Sequence, residues 1–458
     1  MNNEDVNELL KNLLLNSKQT IASQICGATT NLQLAQEDDL CFYRIFDTQE
    51  SLENFHKRYK ASKCRNIITT ADVNIEGANI WVVDHKSFLD AQKMMANRVY
   101  PNSKKLKVVG VTGTNGKTTC SYLAMQIAAL SGLRSLSIGT IGIRSPKEII
   151  EKDLLSTTPS YLELSKIIHK YQSDYDVIFL EVSSHALVQK RLLDIELECG
   201  AWTSFSQDHL DYHKTIQEYF DAKALLIDNL KDKSLVVSIY EKDLINKLND
   251  KKINCDIVSP EYFDELSIGF KARYNQSNLF IAKKLVEKLI NKEVERDILA
   301  KLDLPDGRFE PIPFGQNLAL VDYAHTPDAL ENICKTIRED FSEYSLTVVF
   351  GCGGDRDRTK RSLMGEAVSK FANKVIITSD NPRTENPMTI ISDAASGVSI
   401  DYTVEENRES AIRLAMTNIA QKTVVLVAGK GHEDYQDVMG EKKHFSDREV
   451  ILKVTKEI

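Results

Sequence analysis

Short apolar runs alternate with longer amphipathic stretches from Leu106 onward. The runs are rich in β-branched residues and have the length of buried strands, whereas the stretches between them have helical spacing. The predicted strands are LKVVGV, RSLSIG, YDVIFLEV, AWTSFS and SLVVSI. The predicted helices are TTCSYLAMQIAALSG, which Gly132 ends, YLELSKIIHK and IQEYFDAKALLIDNL. This alternation predicts a mostly parallel sheet with helices on both faces.

A second alternating block begins near residue 309. Its predicted strands are LALVDYA, SLTVVFG, KVIITS and TVVLVAG, and its predicted helices lie around 327–340, 359–372 and 407–420. The pattern predicts a smaller, Rossmann-like α/β domain. Residues 1–100 are more weakly patterned, with predicted strands at NIITT and NIWVVD, and we expect a small α/β domain there.

The length of the chain, 458 residues, exceeds what a single hydrophobic core usually serves. The polar stretch YPNSKK, at 100–105, is typical of a linker. We therefore predict three α/β domains, an N-terminal domain at 1–103, a central P-loop-type domain at 104–308 and a C-terminal domain at 309–458.

The composition narrows the function classes. Hydrophobic residues make up 42% and charged residues 27%, as in an ordinary soluble protein. The net charge of −8 argues against a nucleic-acid or membrane surface, and the sequence has neither a run of about 18 apolar residues nor a signal-peptide pattern. Eight cysteines without a C-x-x-C pair favour free thiols in a reducing cytoplasm. We expect a cytoplasmic monomer.

The stretch GVTGTNGKTTC, residues 110–120, follows a predicted strand and opens a predicted helix. Backbone N–H groups at a helix N-terminus point toward an anion, and the helix dipole favours negative charge there. Gly113 and Gly116 allow a tight turn. Lys117 can reach the terminal phosphates of a nucleotide, and Thr118 can place its hydroxyl on Mg²⁺. The alternative is a glycine-rich turn without a ligand.

The loop departs from the common template G-x-x-x-x-G-K-[ST], which requires glycine where this chain has Val111. In the form G-x-x-G-T-N-G-K-T, it resembles the loop of the Mur ligase family, which includes the folylpolyglutamate synthetases. Those enzymes activate a carboxylate with ATP as an acyl phosphate and join it to an amine. The resemblance implies ATP contacts from Gly113, Thr114, Asn115, Gly116, Lys117, Thr118 and Thr119.

Two further stretches carry groups that can hold a metal. Strand YDVIFLEV ends at Glu181, a candidate Mg²⁺ ligand, although a helix cap at Ser183 or Ser184 also accounts for this sequence. The stretch DHLDYH supplies His209 and His213, which also fit a surface helix. EVSSHAL and DHLDYH resemble the MurE branch of the family, which adds diaminopimelate or lysine to UDP-N-acetylmuramoyl-L-alanyl-D-glutamate. The resemblance implies that Mg²⁺ is bound by Thr118, Glu181 and His209.

Lys223 lies within YFDAKALLI, and the resemblance implies that CO₂ carbamylates it. A lysine flanked by Ala222, Ala224 and Leu225 can lose solvation, which lowers its pKa and frees the amine to react. The alternative is a solvated lysine on an amphipathic helix. The catalytic residues implied by the resemblance are Lys117, His209 and Lys223.

The remaining motifs imply binding residues for three small molecules. In LSTTPS and SSHALVQKR, contacts to the UDP-linked dipeptide are implied for Thr157, Thr158, Ser184, Gln189 and Arg191. In GFKARYNQSNLFIA, LPDGRFEPI and DYAHTPDAL, contacts to ATP are implied for Asn275, Asn278, Arg308, Asp322 and His325. In GCGGDRDRTKR, SDNPRTENP and VLVAGKGHEDYQ, contacts to the amino acid are implied for Arg356, Asp380, Asn381, Pro382, Arg383, Gly429 and Glu433.

The DNPR motif distinguishes the two amino acids of this branch. By the resemblance it marks the enzymes that add meso-diaminopimelate, and Arg383 pairs with the second carboxylate of that amino acid. A guanidinium matches a carboxylate with two parallel hydrogen bonds. Lysine lacks this carboxylate and leaves the arginine unpaired, a mismatch that discriminates strongly.

The resemblance covers residues 106–450, and residues 1–100 lack the D-S-R stretch that is usual in the family. It implies ligation of meso-diaminopimelate to the D-glutamate γ-carboxylate of UDP-N-acetylmuramoyl-L-alanyl-D-glutamate, in peptidoglycan precursor synthesis. Three alternatives stay open: a lysine-adding ligase, a folylpolyglutamate synthetase and a catalytically silent nucleotide-binding paralogue. DNPR argues against the first and second, and the intact Lys117, Glu181, His209 and Lys223 argue against the third.

Overall fold

The fold contains three large β-sheets, which follow one another along the chain. The computed structural model describes residues 1–152, 154–261, 263–417, 419 and 422–458. Each of the three predicted domain ranges contains one of these sheets, while the boundary residues themselves stay a prediction. Within the described residues, no helix combines the length and the apolar character that a bilayer span requires.

The N-terminal sheet has five strands in the order β1-β5-β4-β3-β2. Its elements are α1 (Asn3–Leu10), β1 (Leu14–Lys18), β2 (Gly27–Thr29), β3 (Asp39–Tyr43), α2 (Gln49–Lys60), β4 (Asn66–Thr69), β5 (Asn79–Val83) and α3 (Phe88–Val99). Strands β2 to β5 are parallel and β1 is antiparallel to β5. The predicted strands NIITT and NIWVVD are confirmed as β4 and β5.

The central sheet has eight strands in the order β13-β12-β11-β6-β10-β7-β8-β9. Its strands are β6 (Lys107–Thr112), β7 (Ser135–Gly139), β8 (Gly142–Arg144), β9 (Ile149–Glu151), β10 (Val177–Glu181), β11 (Gly200–Trp202), β12 (Ser234–Ser238) and β13 (Asn254–Val258). The helices of this region are α4 (Lys117–Leu130), α5 (Tyr161–Tyr171), α6 (Ser184–Val188), α7 (Leu210–His213), α8 (Ile216–Ala224), α9 (Leu226–Asn229), α10 (Lys242–Asp250), a short 3₁₀ helix (Ile268–Phe270), α11 (Arg273–Ile290) and α12 (Arg296–Leu299).

Six strands of the central sheet, from β13 to β7, are parallel, as the sequence predicted. Apolar clusters cover both faces, one built around α4 and α11 and the other around α5, α8 and α9. All five predicted strands and the helix after the glycine-rich loop are confirmed. The helical segment predicted for IQEYFDAKALLIDNL is confirmed, and Leu225 divides it into α8 and α9.

The C-terminal sheet has six strands in the order β14-β15-β19-β16-β17-β18 and is parallel except for the edge strand β14. The elements are β14 (Glu310–Phe314), β15 (Asn317–Asp322), α13 (Pro327–Asp340), β16 (Ser345–Phe350), α14 (Lys360–Ser369), β17 (Lys374–Ile377), α15 (Pro387–Ala395), β18 (Tyr402–Val404), α16 (Arg408–Thr417), β19 (Thr423–Ala428), β20 (Tyr435–Val438), β21 (Glu441–His444) and α17 (Asp447–Glu457). The four predicted strands and three predicted helices are confirmed, although positions 418 and 420 of the third helix lie outside the described residues.

Helices α16 and α17 are joined by a buried ion pair. The Arg408 guanidinium donates from Nε and Nη2 to the two carboxylate oxygens of Asp447, each at 2.7 Å. Both side chains are fully inaccessible to solvent. Nη2 also donates to the carbonyl of Ala428 at the end of β19, at 2.9 Å. The pair therefore fixes both helices to the carboxyl end of the central strand of this sheet.

We expect the Asp447→Ala substitution to lower the free energy of unfolding of the C-terminal domain by about 3–5 kcal/mol, because it leaves a buried guanidinium without its counter-ion. Urea unfolding followed by circular dichroism measures the change. The control is Glu457→Ala, which removes the exposed partner of Arg413 and should leave the unfolding midpoint unchanged. A loss below about 1 kcal/mol for Asp447→Ala, the range of exposed pairs, would contradict the role given to this contact.

Candidate active site

The predicted nucleotide residues lie at the carboxyl edge of the central sheet. Strand β6 runs between β10 and β11, and all three are parallel. The glycine-rich loop follows β6, Glu181 ends β10, and Thr203 follows β11. In parallel α/β sheets the crevice outside the carboxyl ends of the strands is the usual place of a ligand.

The loop between β6 and α4 has the backbone geometry that its glycines predicted. Gly113 and Gly116 have φ angles of 151° and 86°. A side chain at Gly116 would collide with the amide of Asn278 on α11. Because Gly116 occupies the N-cap of α4 and has no side chain, the first N–H groups of this helix are not capped from within the loop. This is the geometry of an anion-binding loop.

The Lys117 ammonium lies against the loop. Its Nζ donates to the carbonyls of Gly113 at 2.8 Å and Thr114 at 3.0 Å. Burial lowers the pKa of this lysine, and the nearby carboxylates of Glu181 and Asp208 act in the opposite direction. The positive charge is thus held where phosphate oxygens would meet the loop.

Glu181 is buried and joins the loop to the neighbouring strand end. Its Oε2 accepts from the Thr118 hydroxyl at 3.0 Å, and its Oε1 accepts from the Thr140 N–H at 3.0 Å. Burial raises the pKa of the carboxyl, while Lys117 and the hydrogen bonds from Thr118 and Thr140 lower it. The structure therefore brings together two of the three predicted Mg²⁺ ligands, both with oxygen atoms, which Mg²⁺ prefers.

His209, the third predicted ligand, adjoins a different carboxylate. Its Nε2 is 3.5 Å from Oδ2 of Asp208. Burial lowers the pKa of His209 to about 3, although Asp208 opposes the shift. In the part of the chain that the structure describes, no group of three or more His, Cys, Asp or Glu side chains is arranged to hold a metal. The Mg²⁺ role of His209 therefore stays a prediction.

Lys223 has lost its solvation, as its apolar neighbours predicted. Its side chain on α8 is 1% exposed, its Nζ donates to the Gly113 carbonyl at 2.7 Å, and the ammonium lies 4.6 Å from the ring centre of Tyr219. Burial, with a smaller contribution from Lys117, lowers the pKa of Lys223 well below its usual value. A neutral amine beside the phosphate loop is the form that can react with CO₂.

A cavity between the central and C-terminal domains contains most of the residues predicted to bind ATP. Those that line it are Asn115, Gly116, Thr119, Asn275, Asn278, Arg308 and Asp322. The Arg308 guanidinium lies 4.5 Å from the ring centre of Tyr323. His325 is outside this lining: its Nδ1 is 2.8 Å from the Tyr323 carbonyl, and burial lowers its pKa to about 4.

The residues predicted to bind the UDP-linked dipeptide converge around Thr158 and Arg191. Thr158 Oγ1 donates to the Glu181 carbonyl at 2.8 Å, and Arg191 Nη1 donates to the Thr158 carbonyl at 2.5 Å. Arg191 Nη2 donates to Gln189 Oε1 at 2.7 Å. Ser184 is buried on α6, and its hydroxyl is 2.9 Å from Nε2 of His213. The Thr157 hydroxyl lies nearby, 3.2 Å from that of Thr140.

The residues predicted to bind the amino acid meet around a buried lysine. Lys430 is 0% exposed, and its Nζ lies 3.2 Å from Oδ1 of Asp380 and 3.3 Å from Oε2 of Glu433. It also donates to Oδ1 of Asn381 at 3.0 Å, and Asn381 Nδ2 donates to Glu433 Oε2 at 2.9 Å. Gly429, with a φ of 118°, would bring any side chain to 3.1 Å from Asp380.

Two arginines flank this cluster. Arg383 Nη1 donates to the Gly354 carbonyl at 2.6 Å, and Pro382 packs so closely on Gly354 that a side chain there would collide with its carbonyl. Arg356 lies nearby, because a side chain at Gly353 would come to 3.0 Å from Nη1 of Arg383 and 3.7 Å from Cγ of Arg356. The site thus holds two carboxylates and two guanidinium groups within three loops, which follow β16, β17 and β19.

Sequence reasoning missed four residues that organise these sites: Thr140, Asp208, Lys360 and Lys430. Asp208 and Lys360 stand inside the quoted motifs DHLDYH and DRDRTKR, and Lys430 stands inside GKGHE. Nothing in their spacing indicates that Lys360 faces Asp208 at 3.2 Å across two domains. Two carboxylates of the nucleotide cavity, Glu241 and Asp328, were also missed.

Comparison with known proteins identifies the family. The Mur ligase middle domain matches residues 111–285, and the glutamate ligase domain of the Mur ligases matches residues 307–431. The UDP-N-acetylmuramoyl-L-alanyl-D-glutamate–2,6-diaminopimelate ligase of Clostridium botulinum is 39% identical over 399 residues, which are 80% of this chain and 82% of that protein. The ligase of the same name from Aquifex aeolicus is 33% identical over 464 residues, 95% of this chain and 94% of that protein.

A solved structure extends the likeness to the whole fold. A UDP-N-acetylmuramoyl-L-alanyl-D-glutamate–2,6-diaminopimelate ligase aligns with a TM-score of 0.58 and 27% identity, covering 99% of this chain and 98% of that chain. The N-terminal region is included in this match, although its sequence lacks the motif usual in the family. The chain belongs to the Mur ligase family, in the branch of the UDP-N-acetylmuramoyl-L-alanyl-D-glutamate–2,6-diaminopimelate ligases.

Proposed function

We propose that the protein is an ATP-dependent ligase that joins meso-diaminopimelate to the D-glutamate γ-carboxylate of UDP-N-acetylmuramoyl-L-alanyl-D-glutamate, a step of peptidoglycan precursor synthesis. One observation carries the proposal. In the central domain, the buried Lys223 and the half-buried Lys117 lie at a phosphate loop. Across an interdomain seam, three loops of the C-terminal domain hold two carboxylates and two guanidinium groups. The first suits nucleotide and acyl phosphate, and the second suits a zwitterionic amino acid with an extra carboxylate.

ATP is the co-substrate that we assign to the cavity between the central and C-terminal domains. The loop residues 113–119 would surround its phosphates, while Asn275, Asn278, Arg308 and Asp322 would meet the nucleoside. The γ-phosphoryl group passes to the γ-carboxylate of D-glutamate and forms an acyl phosphate, which the amine of diaminopimelate then attacks. Catalysis of such a transfer is mainly positioning and charge stabilisation, and Lys117 would supply both.

Magnesium fits the oxygens of Thr118 and Glu181, which already lie 3.0 Å apart. When bound there, Mg²⁺ would neutralise phosphate charge during transfer. His209 supplies a nitrogen beside Asp208. We keep His209 as a proposed third ligand. The charges of Glu181 and of Asp208, the neighbour of His209, both act on Lys117, so these groups share one region of the site.

The UDP-linked dipeptide is assigned to the surface around Thr158 and Arg191, next to Glu181. Its acceptor carboxylate would lie beside the phosphate loop, and Ser184 and Gln189 would fix its orientation. The C-terminal loops would hold diaminopimelate, with its ammonium near Asp380 and Glu433 and its distal carboxylate on Arg383. We place the reaction in the cytoplasm, as the unpaired cysteines favour, and expect a monomer.

The central experiment supplies the purified protein with UDP-N-acetylmuramoyl-L-alanyl-D-glutamate and Mg-ATP. Separate reactions receive meso-diaminopimelate, L-lysine, or tetrahydrofolate with glutamate, and phosphate release is followed. We expect release with diaminopimelate, and a product whose mass equals the two joined substrates less one water. Release with L-lysine alone would favour the lysine-adding alternative, and release with none would overturn the proposal.

We expect Lys117→Ala and Lys223→Ala each to abolish phosphate release while the protein stays folded. The first removes the charge that meets the phosphates, and the second removes the amine that we propose to be carbamylated. Activity and thermal unfolding are measured on the same preparations. The control is Lys251→Ala, an exposed lysine paired with Asp221, which should keep full activity. Full activity in either folded variant would refute the role assigned to that lysine.

We expect ¹³C-bicarbonate to give a carbamate resonance in the wild-type protein and none in Lys223→Ala. Only the neutral amine reacts with CO₂, and burial lowers the pKa of Lys223, so the neutral amine persists to lower pH than in an exposed lysine. The carbamate is lost as the pH falls through that lowered pKa. Carbon-13 NMR over a pH series measures this. An unmodified Lys223 in a fully active enzyme would exclude the carbamate.

Substitution of Arg383 tests the choice of amino acid. We expect Arg383→Ala to lower kcat/KM for diaminopimelate by at least about 100-fold, since a charge-paired carboxylate loses its partner, and to leave the KM of ATP unchanged. The control is Arg448→Ala, whose guanidinium is exposed on the same domain. If Arg383→Ala lowered kcat/KM equally for diaminopimelate and for L-lysine, Arg383 would not bind the second carboxylate.

A further inference from the structure

The seam between the central and C-terminal domains crosses the phosphate site. Asn115 of the loop donates to the hydroxyl of Thr326, the N-cap of α13, at 3.2 Å. Further along, Gln207 donates to the Thr359 hydroxyl at 3.2 Å. Directly beside the Gln207–Thr359 contact, one residue further along both segments, Lys360 Nζ is 3.2 Å from Oδ1 of Asp208.

This ion pair is buried, unlike most ion pairs of the molecule. The side chains of Lys360 and Asp208 are only 9% and 7% exposed. Burial alone would raise the pKa of the Asp208 carboxyl, but the Lys360 ammonium and then the His209 imidazole lower it below the usual value. The carboxylate is therefore charged, and its main compensating charge comes from the other domain.

Asp208 also determines the position of His209. The same Oδ1 that meets Lys360 accepts the His209 N–H at 3.0 Å, and Oδ2 is 3.5 Å from its Nε2. His209 has a φ of 54°, in the left-handed region that a residue with a Cβ adopts only when its surroundings hold it there. The carboxylate fastens both the backbone and the ring of this residue.

We propose that Lys360 is a positioning residue that links closure of the C-terminal domain to the arrangement of His209, through its ion pair with Asp208. The inference rests on the proposed function, in which residues 113–119 bind ATP. It assigns a role to a lysine that belongs neither to the phosphate loop nor to the amino-acid loops. The phosphate site is then complete only when the domains are closed, which favours phosphoryl transfer after ATP and the UDP-linked dipeptide have entered.

Two variants and one control test this role. Lys360→Met removes the charge and keeps the length of the side chain, and Lys360→Arg keeps the charge. Lys370→Met is the matched control, because Lys370 caps the same helix and forms an exposed ion pair with Glu331. Thermal unfolding is measured for each, so that a structural loss is recognised.

Kinetics separate positioning from binding. For Lys360→Met we expect kcat to fall about 100-fold, the cost of displaced reacting groups, with the KM of the UDP-linked dipeptide unchanged because its residues lie in the central domain. Lys360→Arg should recover most of kcat, and Lys370→Met should match the wild type. Asp208→Asn should lower kcat like Lys360→Met, and the double variant should be no worse than either single one.

Small-angle X-ray scattering measures closure without catalysis. With the non-hydrolysable analogue AMPPNP, the UDP-linked dipeptide and Mg²⁺, we expect the wild type and Lys370→Met to fit the closed arrangement and Lys360→Met to have a larger radius of gyration. If the wild-type enzyme proves inactive with diaminopimelate, the proposed function fails while the scattering still tests the link. The inference would be overturned if Lys360→Met had the same radius of gyration and the same kcat as Lys370→Met. If Lys360→Met does not fold, Asp208→Asn against the same control decides.

Discussion

The position of strand β6 between β10 and β11 is the constraint on which the site depends. The register pairs Glu181 with Val111 and Trp202 with Thr112, so the three strands end at one level. The phosphate loop, the buried carboxylate and the segment that leads to His209 therefore start from a single edge. Because side chains alternate between the two faces of a sheet, a shift of one residue in β10 would turn Glu181 away from Thr118.

Burial then determines the chemistry of this edge. The same loss of solvent raises the pKa of Glu181 and lowers the pKa values of Lys117 and Lys223. Each group would be costly alone, and each is compensated by hydrogen bonds or by an opposite charge nearby. An environment of this kind strengthens the interaction between fixed charges and a phosphate, since little water rearranges around them. The loss of solvent that makes these charged side chains costly to bury is therefore the property that suits phosphoryl transfer.

Much of the fold could be predicted because its signal is local. The buried parallel strands β6, β10, β16 and β19 are β-branched runs, and the loop after β6 has glycines where positive φ angles occur. In the N-terminal sheet, β1 is mostly exposed and β2 has three residues, so neither presents a periodic pattern. The break at Leu225 has no glycine or proline to mark it. The pairing of Asp208 with Lys360 arises from the packing of two domains, and no spacing in the sequence encodes it.

The amino-acid end of the site follows a charge balance that the motifs alone do not reveal. Asp380 and Glu433 carry two negative charges, and the buried Lys430 offsets one of them. The remaining negative charge can pair with one ammonium group, and the Arg383 guanidinium can pair with a carboxylate. An amino acid that presents an ammonium to these carboxylates and a distal carboxylate to Arg383 would pair both charges, whereas lysine would leave this guanidinium unpaired. Under the proposed function, selection of the amino acid would then come from balancing charges in these loops, with Lys430 offsetting one carboxylate from within.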